Sequence, residues 1–383
     1  MKKFLVFLSY ILVACAAATV ATATAEKKAA DKVSKLDQLS QVIQEYFIEE
    51  PDVAAMENAA ASAMVEALGD RWSYYMSAEE YAAYLEQMAN SYVGIGTTVT
   101  LGDDGYVHVA KVEAGSPALE AGVLPGDVIV AVEGEDIQNK SLDDVKMKIR
   151  GKEGTQVNLT VRREGQDISV TITRRQIKVA VAKGQMLEAG IGLVQIVNFD
   201  GRCAEETIAI IEDLLSQGAE ALVFDVRFNP GGYKDELVKI LDYLLPEGPL
   251  FRSVNYAGKE AVDESDARCL EIPMAVLING DSYSAAEFFA AALSEYEAAV
   301  MVGQPTTGKG YFQSAFKLND GSAGVISMGK YTTPDAVSLA DVGLTLDSVV
   351  DLDEEQYLQI YYGNVPPAED PQIQAAAEAL KAG

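Results

Sequence analysis

The sequence predicts a multidomain α+β protein, with an N-terminal helical segment, a small β domain and a larger α/β core. Three patterns predict it: helical spacing of apolar residues up to about residue 91, period-2 alternation from 92 to 175, and buried-strand patterns alternating with amphipathic helices from 176. With 49% hydrophobic residues over 383 positions, the chain can bury more than one core. The predicted segments are 1–25, 26–91, 92–175, 176–365 and 366–383.

The first segment predicts export. A basic start, Met1-Lys2-Lys3, precedes the apolar run from 4 to 14, which is typical of a signal sequence. Its processing is open between three alternatives. Small-residue cleavage sites end at Ala23 and Ala25, a lipobox would acylate Cys15, and residues 4–25 are long enough for an uncleaved anchor. We expect an extracytoplasmic protein, in the periplasm or on the outer face of the cell envelope, with membrane attachment through its N-terminus as one alternative.

Composition excludes several classes of function. The net charge of −28 argues against nucleic-acid binding, which needs clustered Lys and Arg. One histidine and no C-x-x-C pair do not support a metal site, and we expect no cofactor. Cys203 and Cys269 are expected to be free, buried thiols, although two thiols of an exported chain can also pair.

The N-terminal region and the β domain follow from local patterns. Apolar residues at helical spacing predict helices between about residues 31 and 91. Alternation predicts strands at 106–112 and 128–132, and a hairpin that turns at Glu164-Gly165. Ser116 and Ser141 each begin a short capped helix. His108, the single histidine, falls within the first of these strands.

The core alternates strands and helices. The apolar runs 221–226 and 274–278 predict buried strands, and each ends in a sharp turn, Asn229-Pro-Gly-Gly232 and 279–284 respectively. Helices are expected at 204–217, 234–245 and 284–296, which argues for α/β layers. The Ala-rich tail after Pro366 is expected to form a helix at most.

Ser284 has two interpretations. Ser284-Ala-Ala-Glu287 fits a capping box, and on its own this pattern favours a helix cap over a nucleophile. Its context favours chemistry, because a side chain on a sharp strand-to-helix turn lies at the end of a sheet. The backbone N–H groups of a helix N-terminus there suit an oxyanion. The glycines of the Asn229 turn let a second backbone N–H approach a substrate, although a plain turn explains them equally well.

Lys309 is the candidate base for such a serine. A Ser-His-Asp triad needs a histidine, and His108 is expected in the β domain, so a lysine base is the known alternative. Lys309 lies between Gly308 and Gly310, 25 residues after Ser284. A lysine accepts a proton only when it is uncharged, and burial favours that form. The alternative is a solvated loop lysine.

Seven stretches, in this order, resemble the carboxyl-terminal processing peptidases, the S41 family of serine proteases with a Ser/Lys dyad and an inserted PDZ domain. The resemblance covers about residues 31 to 350. The matching stretches are Gly69–Tyr75, Val93–Gly96, Gly115–Asp127, Asp225–Gly232, Asn279–Glu287, Gly308–Gly310 with Gln313, and Tyr331–Pro334. It implies a crotonase-like α/β protease core and a PDZ fold for residues 92–175.

The resemblance implies roles for the core residues. Ser284 would be the nucleophile, Lys309 the general base and Gln313 a residue that orients the lysine, while Ser282 would be a turn residue and Glu287 would remain a cap. The oxyanion hole would be formed by backbone N–H groups of Ala285 and of the pair Gly231 and Gly232. Within this pair, Gly232 is the favoured donor.

It also implies the substrate class and the quaternary structure. The loop Val93, Gly94, Ile95 and Gly96 would bind the carboxylate of a protein or peptide C-terminus, as PDZ domains do. The N-terminal helices would pair two chains into a homodimer, as in some relatives.

Departures from the family's motifs leave two rival interpretations open. Phe228 replaces an asparagine, and Tyr311 and Phe312 replace a smaller pair beside the lysine, which bears on specificity and gating more than on chemistry. One rival is acyl-CoA chemistry on the same fold, which export and the dyad argue against. The other is a non-catalytic PDZ adaptor with a vestigial protease core.

Overall fold

The computed structural model describes residues 34–382, and the predicted leader lies outside them. The described chain forms two compact units. One contains residues 34–78 and 315–326, and the other contains residues 79–314 and 327–382. Within the described range, no helix is long and apolar enough to cross a bilayer.

The first unit begins with two helices, α1 (Lys35–Tyr46) and α2 (Val53–Glu66), as the helical spacing predicts. Neither helix has a buried residue. The short strand β1 (Tyr74–Met76) follows and pairs antiparallel with residues 323–325. The sequence pattern does not predict β1, because a three-residue strand is defined by its pairing partner and not by its own residues. A helix, α3 (Ala78–Met88), then leads into the second unit.

The β domain lies in the second unit and has its own hydrophobic core between Ile95 and Ile172. Its main sheet has the order β3-β4-β5-β7-β8, with β6 paired to β5, and β2 pairs separately with β9. Ser116 and Ser141 cap their helices as predicted. The elements are β2 (Ser91–Gly94), β3 (Thr97–Leu101), β4 (Val107–Val112), α4 (Pro117–Glu120), β5 (Val128–Val132), β6 (Glu135–Asp136), α5 (Leu142–Ile149), β7 (Gln156–Arg163), β8 (Gln166–Thr173) and β9 (Arg175–Lys178).

The α/β core is built on a six-stranded sheet of order β10-β11-β12-β15-β16-β19. All neighbouring pairs are parallel except β10 with β11. Both predicted buried strands, β12 and β15, are central and adjacent. The elements are β10 (Ala182–Met186), β11 (Ile191–Ile196), α6 (Cys203–Ser216), β12 (Ala221–Asp225), α7 (Lys234–Leu244), β15 (Met274–Ile278), α8 (Ala285–Glu295), β16 (Ala299–Gly303), β19 (Ser348–Val349), α9 (Glu354–Tyr361) and α10 (Pro371–Ala382).

The two faces of this sheet bury different helices. Leu222, Phe224 and Val276 share one hydrophobic cluster with residues of α6, α7 and α8. Val223 and Leu277, which alternate with them, share another cluster with residues of α10. Period-2 alternation therefore buries both faces of β12 and β15, which explains why these strands are apolar throughout.

A second sheet in this half of the chain has no counterpart in the sequence analysis. Besides β1, which pairs with the start of β18, its strands are β13 (Gly248–Asn255), β14 (Glu260–Ser265), β17 (Tyr311–Lys317) and β18 (Ala323–Thr332), with β13 paired to both β14 and the end of β18. Most residues of these strands are half-buried or exposed, and the few buried ones, such as Leu250, Phe251 and Val325, do not form the long apolar runs that mark buried strands.

The expectation of a C-terminal tail needs correction. Residues 371–382 do form a helix, but this helix packs on the central sheet through Ile373 and Ala376. Asp370, just before it, binds the buried Arg227 at 2.9 Å, and Arg227 also binds Asp225 at 2.7 Å. The end of the chain is thus part of the core, attached beside the turn that follows β12.

The two described cysteines are free, as expected. Cys203 is buried, and burial raises the pKa of its thiol to about 12. Cys269 is only half-buried, contrary to the expectation that both thiols are buried.

Replacing Arg227 should destabilise the core strongly. In Arg227→Met, Asp225 and Asp370 become buried carboxylates without their cation, and we expect a loss of about 3–5 kcal/mol in the free energy of unfolding. Urea denaturation measures it. The control is Arg268→Met, which removes an exposed arginine paired with Asp266 and should change stability by less than about 0.5 kcal/mol. Equal effects of the two substitutions would contradict the interpretation of the C-terminal helix as a fixed part of the core.

Candidate active site

The candidate site lies at the carboxyl ends of β12 and β15. Because these strands are parallel neighbours, the turns that follow them meet at one edge of the sheet. Asn229 connects the turns: its carbonyl accepts the Tyr283 N–H at 3.2 Å. From the other turn, the buried Asn279 side chain accepts the N–H of Phe228 at 3.0 Å. The predicted glycine turn and the predicted serine turn are thus held side by side.

The two serines of this turn have different roles. Ser282 is buried and structural, since its hydroxyl donates to the Val226 carbonyl at 2.7 Å and accepts the Asn279 N–H at 3.0 Å. Ser284 is half-buried and directly precedes α8, with φ 57° and ψ −125°. Side chains other than glycine rarely adopt this conformation, and such strain is typical of a nucleophile on a strand-to-helix turn. The prediction that Ser282 is a turn residue is confirmed.

Glu287 joins the turn that carries Ser284 to the loop that carries Lys309. Its side chain is fully buried. One carboxylate oxygen accepts the backbone N–H of Ser284 at 3.2 Å and that of Lys309 at 2.9 Å. The other oxygen accepts the Thr306 hydroxyl and the Gly308 N–H, both at 2.6 Å. Because both backbone N–H groups donate to the same oxygen, the Ser284 and Lys309 nitrogens are at most about 6 Å apart, which is the sum of the two distances.

The capping role predicted for Glu287 is confirmed by its bond to the Ser284 N–H, and the contacts with the lysine loop add to it. Burial raises the pKa of this carboxyl, and the four hydrogen bonds it accepts oppose the rise. The ionised form suits four donors, because both of its oxygens are acceptors only.

The loop around Lys309 is packed tightly on residues 339–343. The Lys309 side chain is half-buried, with Nζ 5.9 Å from the centre of the Tyr283 ring. Gly308 has φ 79°, and a Cβ there would lie 2.9 Å from backbone atoms of three residues of this segment. A Cβ at Gly310 would lie 2.5 Å from Ala340 Cβ. Both glycines are therefore required for the close approach of the two segments, and they fix the main chain on each side of the lysine.

Tyr331 contacts Ser284, and the sequence motifs assigned it no role. Its hydroxyl donates to Ser284 Oγ at 3.3 Å, and its ring is buried against Phe288, Phe251 and Phe312. Burial raises the pKa of this phenol well above its usual range, so Tyr331 acts as a neutral donor. The only sequence signal was its place in the Tyr331–Pro334 stretch.

Gln313, the predicted orienting residue, lies in β17, four residues after Lys309. Its side-chain NH₂ donates to the Tyr311 carbonyl and to the Ser327 hydroxyl, both at 3.1 Å. These contacts fix the amide group at the start of the strand. A role in orienting Lys309 stays a prediction.

Of the two glycines predicted for an oxyanion hole, Gly231 is already engaged. Its N–H donates to Asn229 Oδ1 at 2.8 Å, and a Cβ at this position would lie 2.7 Å from Ser284 Cβ. Gly231 therefore leaves room for Ser284, while Gly232, the glycine favoured from the sequence, stays the candidate donor. The Ala285 backbone nitrogen is 2.8 Å from the Cβ position built on Gly231, so this amide lies beside the glycine turn.

Phe228 occupies a position that suits asparagine better. It has φ 61°, a left-handed conformation that bulky residues rarely adopt. Its ring packs on Tyr357 at 4.9 Å and on Tyr361 at 5.2 Å between ring centres, which compensates for the strained backbone. This departure from the family motif leaves the glycine turn intact.

In the β domain, the predicted carboxylate-binding loop is well anchored. Val93 and Gly94 pair with β9, and the carbonyls of Ile95 and Gly96 accept N–H groups from the segment 113–118, each at 2.9 Å. Binding of a peptide carboxylate by this loop stays a prediction. His108 lies in β4 as expected, 3.0 Å from Asp104, and so belongs to the β domain.

Comparisons with known proteins show the family to which the chain belongs. The family model described as peptidase family S41 matches residues 190–350, and a PDZ domain model matches residues 108–163. The carboxy-terminal processing protease CtpA of Bacillus subtilis (strain 168) is 31% identical over 345 residues, which cover 88% of this chain and 74% of that protein. The carboxyl-terminal-processing protease of Synechocystis sp. is 30% identical, covering 85% of this chain and 77% of that protein.

A solved structure assigned to the S41 proteases, from Bacteroides fragilis NCTC 9343, has the same fold. It superposes with a TM-score of 0.53 at 17% identity, over 90% of this chain and 97% of that one. The predicted fold, a PDZ domain with an α/β protease core, is confirmed.

Replacing Glu287 should separate the two loops of the site. In Glu287→Gln, an NH₂ group faces two of the four donors that the carboxylate accepted. We expect about a 100-fold or greater loss of kcat/KM on a peptide substrate, and a loss of stability of about 2–3 kcal/mol. The matched control is Glu297→Gln, an exposed carboxylate just after the same helix, which should behave as wild type. Full activity of Glu287→Gln would contradict the bridging role.

Removing the Tyr331 hydroxyl should affect turnover more than stability. Tyr331→Phe keeps the ring packing but loses the donor to Ser284, and we expect kcat to fall by about 3- to 10-fold. Tyr296→Phe is the control, because it loses a comparable bond, to the Pro249 carbonyl at 3.0 Å, at the far end of α8. Steady-state kinetics of both variants give the answer. A fall in kcat no larger for Tyr331→Phe than for Tyr296→Phe would show that the contact with Ser284 does not matter.

Proposed function

Because the chain belongs to peptidase family S41 and is a carboxy-terminal processing serine protease, we propose that Ser284 and Lys309 form its catalytic dyad. The observation that carries this proposal is the Glu287 carboxylate, one oxygen of which binds the backbone N–H groups of both residues. This bond holds the main chain of the serine turn against that of the lysine loop. The single histidine lies in the β domain, 3.0 Å from Asp104, so we assign the role of base to Lys309 instead.

The proposed reaction is acyl transfer in two stages. The uncharged Lys309 amine takes the Ser284 hydroxyl proton while Oγ attacks the scissile carbonyl carbon. The resulting oxyanion accepts N–H donors from Gly232 and Ala285. Lys309 then gives its proton to the leaving amine as the C–N bond breaks, which leaves an acyl-enzyme. Water attacks the ester with Lys309 again as base, and Ser284 is regenerated.

The residues around the dyad support these steps by position. Tyr331 donates to Ser284 Oγ, so it directs a lone pair of the hydroxyl and leaves the proton to the base. Gly231, without a side chain, leaves the face of Ser284 open beside the oxyanion donors. We also assign to Gln313 the orientation of Lys309, four residues earlier in the chain.

The substrates we propose are proteins and peptides with accessible C-termini. The PDZ domain would bind the terminal carboxylate through the loop Val93–Gly96 and add the peptide as a strand, and the bound chain would then reach Ser284. This loop is anchored at both ends by the ladder with β9 and by the bonds to residues 113–118, and such a preformed loop suits a carboxylate.

We further propose that the enzyme is exported and works outside the cytoplasm. The basic start and apolar run of the leader support this, with cleavage, lipidation at Cys15 and a retained anchor as the three ways of processing. The helices α1 and α2, with no buried residue and an exposed face that includes Leu39 and Val42, suit pairing of two chains as a homodimer.

The dyad predicts how activity depends on pH. The substrate is an unfolded protein with an apolar C-terminus, and the enzyme is the fragment of residues 26–383. The rate of cleavage should rise as the pH increases, because the base must lose its proton. Ser284→Ala and Lys309→Ala should lower kcat by about 10⁴-fold or more. Lys330→Ala is the control, because Lys330 is an exposed lysine of β18, and this variant should keep wild-type activity.

Two outcomes would contradict the assignment. Cleavage by Ser284→Ala at the wild-type rate would mean that another residue is the nucleophile. No cleavage by any variant, together with binding of C-terminal peptides, would favour the non-catalytic PDZ adaptor.

A further inference from the structure

The glycine turn is supported from the side opposite Ser284 by the loop between β11 and α6. The Phe199 N–H donates to the Gly231 carbonyl at 2.8 Å, and the Tyr233 N–H donates to the Phe199 carbonyl at 2.8 Å. Phe199 and Gly232 thereby form a parallel bridge. A displacement of this loop would therefore also displace Gly232, the candidate oxyanion donor.

The next residue of this loop, Asp200, is a buried acid with an unsatisfied oxygen. Its exposed fraction is 4%, and its Oδ1 is one of only two buried side-chain N or O atoms in residues 34–382 that have no hydrogen-bond partner. That oxygen faces the turn. A Cβ built on Gly232 would lie 2.6 Å from Asp200 Oδ1, which places the oxygen within about 4 Å of the Gly232 Cα.

The surroundings of Asp200 do not neutralise a negative charge. Among the described residues, Asp200 is in no salt bridge, and the neighbouring Arg202 is directed to Glu206 and to two backbone carbonyls. Glu206 and Glu236 act with Asp200 on the adjacent Cys203 thiol, so the charged groups recorded on the α6 and α7 sides of this loop are negative. The other titratable groups that face it are neutral at ordinary pH: the Cys203 thiol and the Tyr233 phenol.

We propose that Asp200 is a positioning residue for the oxyanion-hole turn, whose neutral form leaves the Gly232 N–H to the substrate and whose carboxylate opposes the oxyanion. This inference rests on the proposed function. A buried carboxylate without donors attracts a backbone N–H within reach, and Asp200 Oδ1 lies within about 4 Å of the Gly232 Cα. Its charge also lies close to where negative charge develops in the reaction, so ionisation raises the barrier.

The transition falls in an accessible pH range. Burial raises the pKa of Asp200 to about 7, far above the usual value for an aspartate. Asp200 therefore gains its negative charge as the pH rises through about 7, whereas a lysine base must lose its proton to act. The two effects act in opposite directions, and Asp200 limits the gain in activity at alkaline pH.

The test compares wild type with Asp200→Asn, which keeps the shape of the side chain but does not ionise. The quantity measured is the ratio of their kcat/KM values from about pH 5.5 to about pH 9. Because the titration of Lys309 is common to both proteins, it cancels in the ratio. We expect a ratio near one at the acid end that rises to about tenfold in favour of Asp200→Asn, with a midpoint near 7. Glu212→Gln, an exposed carboxylate of α6, is the control for the loss of one charge, and its ratio should stay flat.

Stability gives a second readout that does not need activity. In the Ser284→Ala background, the free energy of unfolding with Asp200 should fall relative to Asp200→Asn as the pH rises from about 4 to about 7. The reason is that the folded state holds this proton more tightly than the unfolded state. If Asp200→Asn does not fold, Asp200→Ser takes its place in both measurements.

Each failure has its own meaning. If the kcat/KM ratio does not change with pH while Ser284→Ala is inactive, the role of Asp200 is overturned and the proposed function stands. This holds whether or not the free energy of unfolding depends on pH. Cleavage by Ser284→Ala overturns the proposed function and this inference with it.

Discussion

The active site depends on one buried carboxylate. Glu287 has no exposed surface and accepts four hydrogen bonds, two of them from the backbone of Ser284 and Lys309. A buried charge is stable only when its oxygens are fully paired, so removing any donor leaves a costly unsatisfied group. This makes the arrangement of the serine turn and the lysine loop close to all-or-none. The constraint converts two segments that are 25 residues apart into one rigid unit.

The rest of the core positions the partners of this carboxylate. Parallel pairing of β12 and β15 brings the glycine turn and the serine turn to the same edge. Arg227, at the end of β12, is fixed by Asp225 and by Asp370 from the C-terminal segment. The aromatic cluster around Tyr331 supports α8 and places a neutral hydroxyl against Ser284 Oγ. Function thus rests on packing that extends to the last helix of the chain.

Much of this could be predicted from the sequence, because the relevant signals are local. Buried parallel strands are continuous apolar runs, caps such as Ser116 and Ser141 mark helix starts, and the turns after β12 and β15 contain glycine and asparagine. The candidate nucleophile and base also follow from short motifs. In each case a few adjacent residues determine the structure.

The remainder depends on distant partners. The strands β13, β14 and β18 are half exposed, so their pattern does not distinguish them from loops. Tyr331 lies 47 residues after Ser284, and its contact with the hydroxyl arises from the pairing of β18 with β13. Asp200 has an ordinary loop sequence around it, and only the packing against Gly232 makes it unusual.

The most direct measurement of the central claim is a crystal structure of the protein with a peptide boronate bound. Boron forms a tetrahedral adduct with a nucleophilic serine and so mimics the intermediate of acyl transfer. The account predicts boron on Ser284 Oγ, one boronate oxygen about 3 Å from the N–H groups of Gly232 and Ala285, and Lys309 Nζ at hydrogen-bond distance from Oγ. Boron on another residue, or Lys309 Nζ turned away from Ser284 in the adduct, would contradict it.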